Sequence, residues 1–211
     1  MTERFYYHDS SLLEFEATVV SVANREDGNA LVVLDRSAFY PTSGGQNSDT
    51  GQVYAIANGS RVRVIDVQEQ EETGEVLHLV DCPPGWLRPG VPVRGEVDAA
   101  RRRDHMQQHS GQHVISAAFE RLFSFATVSF HMGDESCTID LATEKISAQQ
   151  LEVAERLANQ VVADNRPVEI RYATSDEAFC CLQAVSIEIR RQRHFTPVMS
   201  HAPLSSIFTS A

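Results

Sequence analysis

Ala17-Thr18-Val19-Val20-Ser21-Val22, Ala30-Leu31-Val32-Val33-Leu34, Val53-Tyr54-Ala55-Ile56, Val62-Arg63-Val64-Ile65-Asp66-Val67 and Val76-Leu77-His78-Leu79-Val80 follow one another closely in the first half of the chain. Each run is short and rich in β-branched residues, which favour the pleated backbone. Turn-forming stretches such as Glu26-Asp27-Gly28-Asn29 and Ala57-Asn58-Gly59-Ser60 separate them. Frequent strands joined by short turns read as a small β-barrel. The Pro-rich stretch from Cys82 to Pro92 then breaks regular structure, and Val93-Arg94-Gly95-Glu96-Val97 reads as one closing strand. A domain boundary is expected near residue 95.

Beyond it the period changes. From Asp98 to about Phe125, Val114, Ala117, Ala118, Phe119 and Leu122 recur at helical spacing, with Asp98 placed to cap the start. Thr127-Val128-Ser129-Phe130-His131-Met132 and Cys137-Thr138-Ile139-Asp140-Leu141 form a hairpin-like pair around Gly133-Asp134. A second long helix is expected from Ser147 to about Asp164. Ser147 with Gln150 makes a capping box, and Leu151, Ala154, Leu157, Ala158 and Val161 make the apolar stripe. Asn165-Arg166-Pro167 stops it, and Val168–Ala173 reads as a further strand. The whole is an α+β chain: a small N-terminal barrel, then two long helices packed on an antiparallel sheet.

At 211 residues the chain can bury one large core or two small ones. Its hydrophobic fraction of 42% comes without any apolar run of membrane-spanning length, and the first residues lack the apolar stretch of a secretory signal. Cys82, Cys137, Cys180 and Cys181 are too irregular for a disulfide framework. These features read as a cytoplasmic protein in a reducing compartment. The formal charge of -11 argues against a broadly basic nucleic-acid binder. Positive charge nevertheless gathers at Arg101-Arg102-Arg103 and at Arg190, Arg191 and Arg193, two spots that suit either an RNA backbone or solvated faces.

His105-Met106-Gln107-Gln108-His109-Ser110-Gly111-Gln112-His113 repeats histidine at every fourth position. On a helix such neighbours lie about 6 Å apart along the axis and nearly in line, so two imidazoles can grip one zinc ion. Surface or core histidines without metal are the alternative. The residue after the first histidine of the pair is Ser110, or Met106 if His105 opens the motif, not the glutamate of a zinc protease, so peptide cleavage is not expected. Hydrolysis of an activated ester needs less help, because the metal lowers the pKa of its water toward about 7.

Phe39-Tyr40-Pro41-Thr42-Ser43-Gly44-Gly45-Gln46-Asn47-Ser48-Asp49-Thr50-Gly51 is the other unusual segment. Its paired glycines permit close backbone approach, and Thr42, Ser43, Gln46 and Asp49 offer polar atoms to a small ligand. A plain hairpin turn is the alternative reading.

Together, Phe39–Gln46 and His109-Ser110-Gly111-Gln112-His113 resemble the AlaX-type alanyl-tRNA editing proteins, free-standing relatives of the alanyl-tRNA synthetase editing domain. Asp104–Gln108, Phe130-His131-Met132-Gly133, Thr138–Leu141 and Asn165–Val168 extend the resemblance over roughly residues 5–175. It implies a barrel domain over residues 1–95 that carries the glycine-rich motif, and a zinc-dependent editing domain, the second additional domain of threonyl- and alanyl-tRNA synthetases, over residues 96–211. It also implies a trans-acting deacylase that removes serine or glycine from tRNA for alanine through a zinc-bound water. By position His109 and His113 are the first two Zn2+ ligands, and Thr42, Gly44, Gly45 and Gln46 form the substrate-binding motif. The expected partner is tRNA, not DNA or a membrane.

The end of the chain departs from the family. Where a Cys-x3-His loop should complete the metal site, the sequence reads Phe195-Thr196-Pro197-Val198-Met199-Ser200-His201-Ala202. Val198 occupies the cysteine position, and His201, one residue short of the usual histidine, is the candidate third ligand; Cys180 and Cys181 read as a buried free-thiol pair, with a substitute ligand role as the alternative. The tail from Pro203 to Ala211 is shorter than the strands that follow in the family, so the second domain is expected to be incomplete. The alternative function is an inactive, metal-free, tRNA-binding remnant.

Overall fold

The computed structural model describes residues 1–43, 45–83, 85–133 and 136–165. The chain divides into two compact units, one holding Met1–Met106 with Met132–Asp134 and the other Gln107–His131 with the residues beyond 135.

In the first unit, β1 (Glu3–Arg4), a 3-10 turn (Phe5–Tyr7), β2 (Glu14–Asn24), β3 (Asn29–Leu34), β4 (Arg36–Ser37), β5 (Gly51–Ala55), β6 (Arg61–Gln70), β7 (Glu75–Asp81) and β8 (Pro92–Val97) follow in order. Six of these strands close a barrel in the order β2-β3-β7-β6-β5-β8, with every neighbouring pair antiparallel. The short β1 and β4 pair in parallel beside it. β8 completes the closure expected of Val93–Val97 by pairing with both β2 and β5.

Alternation fills the interior. Phe15, Ala17 and Val19 of β2, Val76, His78 and Val80 of β7, and Val93, Gly95 and Val97 of β8 are buried, while most of the residues between them are not. In β6 the register shifts between Val64 and Asp66, and the inward set moves from Val62 and Val64 to Val67. A one-residue bulge of this kind turns a strand over, so Asp66 faces away from the core despite its place in the run.

His78 has no exposed surface. Its Nδ1 lies 3.1 Å from the Val32 carbonyl oxygen, which can only accept, so Nδ1 carries the hydrogen. Nε2 then accepts from Ser37 Oγ at 2.8 Å, and Ser37 Oγ accepts the Phe39 N–H at 3.1 Å. Burial lowers the pKa of this neutral imidazole from 6.5 to about 4.

The long helix α1 (Ala99–Phe123) starts where expected: Asp98 Oδ1 accepts the Ala100 and Arg101 amides, both at 3.0 Å. It ends with Ser124 at φ 58°, whose N–H donates to Glu120 O at 2.8 Å. The strands β9 (Thr127–Met132) and β10 (Cys137–Leu141) pair in a two-stranded sheet. α2 (Ala148–Ala163) carries the expected capping box between Ser147 and Gln150. In the second unit Ile115, Ala118 and Phe119 of α1 pack with Ala154 and Ala158 of α2, and Ile139 and Leu141 of β10 join them. Among the described residues no helix is long and apolar enough to cross a membrane, and Cys82 is a free thiol. Val168–Ala173 lies outside the described residues.

Candidate metal and substrate sites

In the first unit the glycine-rich segment forms a loop with a tied neck and a tight tip. At the neck the Asp49 N–H donates to Tyr40 O at 3.0 Å, and the Tyr40 N–H donates to Asp49 Oδ2 at 2.6 Å. At the tip Ser43 N donates to Gln46 O at 3.1 Å and Gln46 N returns a bond to Ser43 O at 2.9 Å. Gly45 there has φ 80°, a left-handed value that side chains disfavour. The segment is thus a hairpin turn, and it presents Thr42 and Gly45 exposed while Gln46 is buried. Thr42 N donates to Val67 O at 2.9 Å, and Ser48 Oγ donates to Asp66 Oδ1 at 2.7 Å, so the β6 bulge holds both sides of the loop. Thr42, Gly45 and Gln46 are brought together; Gly44 lies outside the described residues.

Asp49 does not serve as a ligand-facing group. It has no exposed surface, and its carboxylate is taken up by the Tyr40 amide and by Arg102. Arg102 fits neither reading of Arg101-Arg102-Arg103, an RNA-facing spot or a solvated face: it is 4% exposed, and its guanidinium is committed inside the protein. The sequence holds no local sign of this pairing, because the partners are 53 positions apart. Arg190, Arg191 and Arg193 lie outside the described residues.

In the second unit α1 sets His109 and His113 face to face, with ring centres 4.9 Å apart and planes inclined by 23°. Phe130 of β9 flanks His109 at 6.1 Å. Desolvation lowers the pKa of both imidazoles, and for His109 the neighbouring His113 adds to the effect. Both are therefore neutral at pH 7, the form that binds metal. Zinc binds an imidazole nitrogen at about 2 Å, so rings 4.9 Å apart are close enough to share one ion once they turn their nitrogens toward it. Among the described residues no cluster of three His, Cys, Asp or Glu is assembled for a metal. His201, Val198, Cys180 and Cys181 lie outside the described residues. His105, one turn before His109, is buried at 4% exposure.

The family model for tRNA synthetases class II (A) matches residues 2–101, which cover the barrel and the start of α1. An alanyl-tRNA editing protein AlaX-M of Methanosarcina acetivorans is 34% identical over 182 residues, covering 84% of this chain and 72% of its own length. The chain belongs to the alanyl-tRNA editing protein family. The alanyl-tRNA editing protein Aarsd1 of Rattus norvegicus is 36% identical over 80% of this chain and 41% of its own length. An alanine–tRNA ligase of Natronomonas pharaonis is 37% identical over 84% of this chain. This editing-family chain spans 19% of that ligase's length, so its kinship lies with one portion of the larger protein.

Proposed function

We propose that the chain is an aminoacyl-tRNA deacylase that hydrolyses the ester of tRNA for alanine wrongly charged with serine or glycine. Zn2+ would be held by His109, His113 and His201. The observation that carries the reading is the pair of adjacent imidazoles on α1, with ring centres 4.9 Å apart and within reach of one ion. Kinship with proteins named for alanyl-tRNA editing supports the substrate class.

A zinc ion supplies Lewis acidity, which activates water and polarises an ester carbonyl. The chain's own residues do the rest. The lowered pKa values of His109 and His113 keep protons from competing for their lone pairs near neutral pH. The exposed hydroxyl of Thr42, with Gly45 and Gln46 beside it and Gly44 in the motif, is assigned to the misplaced amino acid. A small turn without Cβ bulk admits a ligand close to the backbone. An aminoacyl ester is already activated, so no protein general base is assigned. In this reading residues 1–95 form the barrel domain and residues 96–211 the editing domain, working on tRNA in the cytoplasm.

The test is zinc content by elemental analysis, beside release of serine from Ser-charged tRNA for alanine. About one zinc per chain is expected in the wild type and none in His109→Ala/His113→Ala, with deacylation lost in parallel. Folded wild-type protein without zinc, or zinc-loaded protein that leaves the ester intact, would sink the proposal in favour of a tRNA-binding remnant.

A further inference from the structure

The neck of the glycine-rich loop is closed by an ion pair almost without solvent. Arg102 Nε donates to Asp49 Oδ1 and Oδ2 at 3.2 and 3.0 Å, and Nη2 donates to Oδ2 at 2.5 Å. The same Nη2 reaches Ala38 O at 2.5 Å, and Nη1 donates to Ser10 O at 2.7 Å. Ala38 precedes the loop and Asp49 ends it, so one guanidinium holds both of its sides. Beside it Arg101 Nε donates to Ser48 O at 3.0 Å.

A buried ion pair is weak evidence for stability, since apolar residues of the same volume often do as well. Geometry is the better explanation. The planar guanidinium spreads its donors in fixed directions, and here it meets a carboxylate and two separate carbonyls at once. A lysine ammonium carries the same charge on a single nitrogen and cannot span them. Because Asp49 also accepts from Tyr40 N, the position of the carboxylate determines the distance across the neck.

We propose that Arg102 is a positioning residue, which acts through Asp49 to fix the loop in the conformation that presents Thr42 and Gly45 to the substrate. Its catalytic consequence rests on the deacylase reading above; its hold on the loop does not. Arg102 touches no reacting atom, so its loss weakens the fit of the substrate and leaves the hydrolytic step largely intact.

The test uses the full chain and the charge-keeping variant Arg102→Lys, with Asp49→Asn as the second variant should the first not fold. Amide hydrogen exchange is followed by mass spectrometry, and KM and kcat are measured on Ser-charged tRNA for alanine. Exchange over residues 39–50 is expected to speed up by about tenfold while β3 and β7 keep their protection. KM is expected to rise by about tenfold, with kcat within about twofold of wild type. Unchanged loop exchange overturns the proposal, and so does an equal acceleration throughout the barrel, which would mark a general stabilising role. Faster loop exchange with an unchanged KM overturns the link to substrate. If wild-type protein leaves the ester intact, the deacylase reading fails, and the exchange data still decide whether Arg102 holds the loop.

Discussion

A Cβ added at Gly51 would lie 2.1 Å from Glu96 O and 2.8 Å from the Phe39 ring, and one added at Gly95 would lie 2.4 Å from the Phe15 ring. The first collides with backbone in the β5–β8 ladder, which cannot yield without opening the barrel; the second meets a side chain. Gly51→Ala is therefore expected to cost about 3 kcal/mol or more, and Gly95→Ala about 1–3 kcal/mol, by urea denaturation. Equal losses would contradict this ranking. His78 makes a second prediction at this scale. Its folded pKa, about 4, lies below the unfolded value of 6.5, so the unfolded chain takes up the proton first as pH falls. The stability tied to neutral His78 is complete above about pH 6.5 and declines by about 3 kcal/mol on reaching pH 4. His78→Gln should be less stable at pH 7 but show a correspondingly flatter dependence between these limits. Parallel curves for the two proteins would show that His78 does not titrate on unfolding.

Among the elements, α2 depends on a local device. Ser147 Oγ accepts Gln150 N at 3.2 Å while Gln150 Oε1 accepts Ser147 N at 2.9 Å. Ser147→Ala is expected to lower stability by about 1 kcal/mol, read as a lower denaturation midpoint with the slope unchanged; no change would show the cap to be dispensable. Devices of this kind are legible in a sequence because every partner lies within one turn. The same holds for Asp98 at the start of α1 and for the β-branched runs between turns that became β2, β3, β5, β6, β7 and β8. What could not be read was non-local. Strand order β2-β3-β7-β6-β5-β8 depends on which edges meet after collapse, and β1 with β4 carries too few residues to leave a pattern. The bulge in β6 left a faint trace, the broken alternation at Ile65-Asp66. In the candidate sites, helical spacing placed His105, His109 and His113 in line, and the family resemblance, not the spacing, singled out His109 and His113. The commitment of Asp49 to Arg102 did not, because both residues look like solvent-facing polar groups until the fold brings them together.

Over the whole molecule, charge decides how the chain can meet tRNA. It carries 29 acidic against 18 basic residues, and several arginines of the first unit are paired with carboxylates: Arg4 with Glu69, Arg94 with Glu14 at the surface, and Arg102 with Asp49 in the interior. Few phosphate contacts are expected of a protein so constituted. Each phosphate contact releases counterions, and the logarithm of affinity falls with the logarithm of salt in proportion to their number. If Arg190, Arg191 and Arg193 supply the contacts, a slope of about -2 to -3 is expected for tRNA binding, and replacing all three with serine should flatten it nearly to zero. Arg102→Lys, in contrast, should leave the slope unchanged, because that charge is paired inside the protein with or without RNA. Electrophoretic mobility shifts over a salt series would provide the measurement. A slope of about -6 or steeper would show a basic surface broader than these three arginines. A slope that survives the triple substitution would move the contact to other arginines and leave the C-terminal cluster as a solvated face.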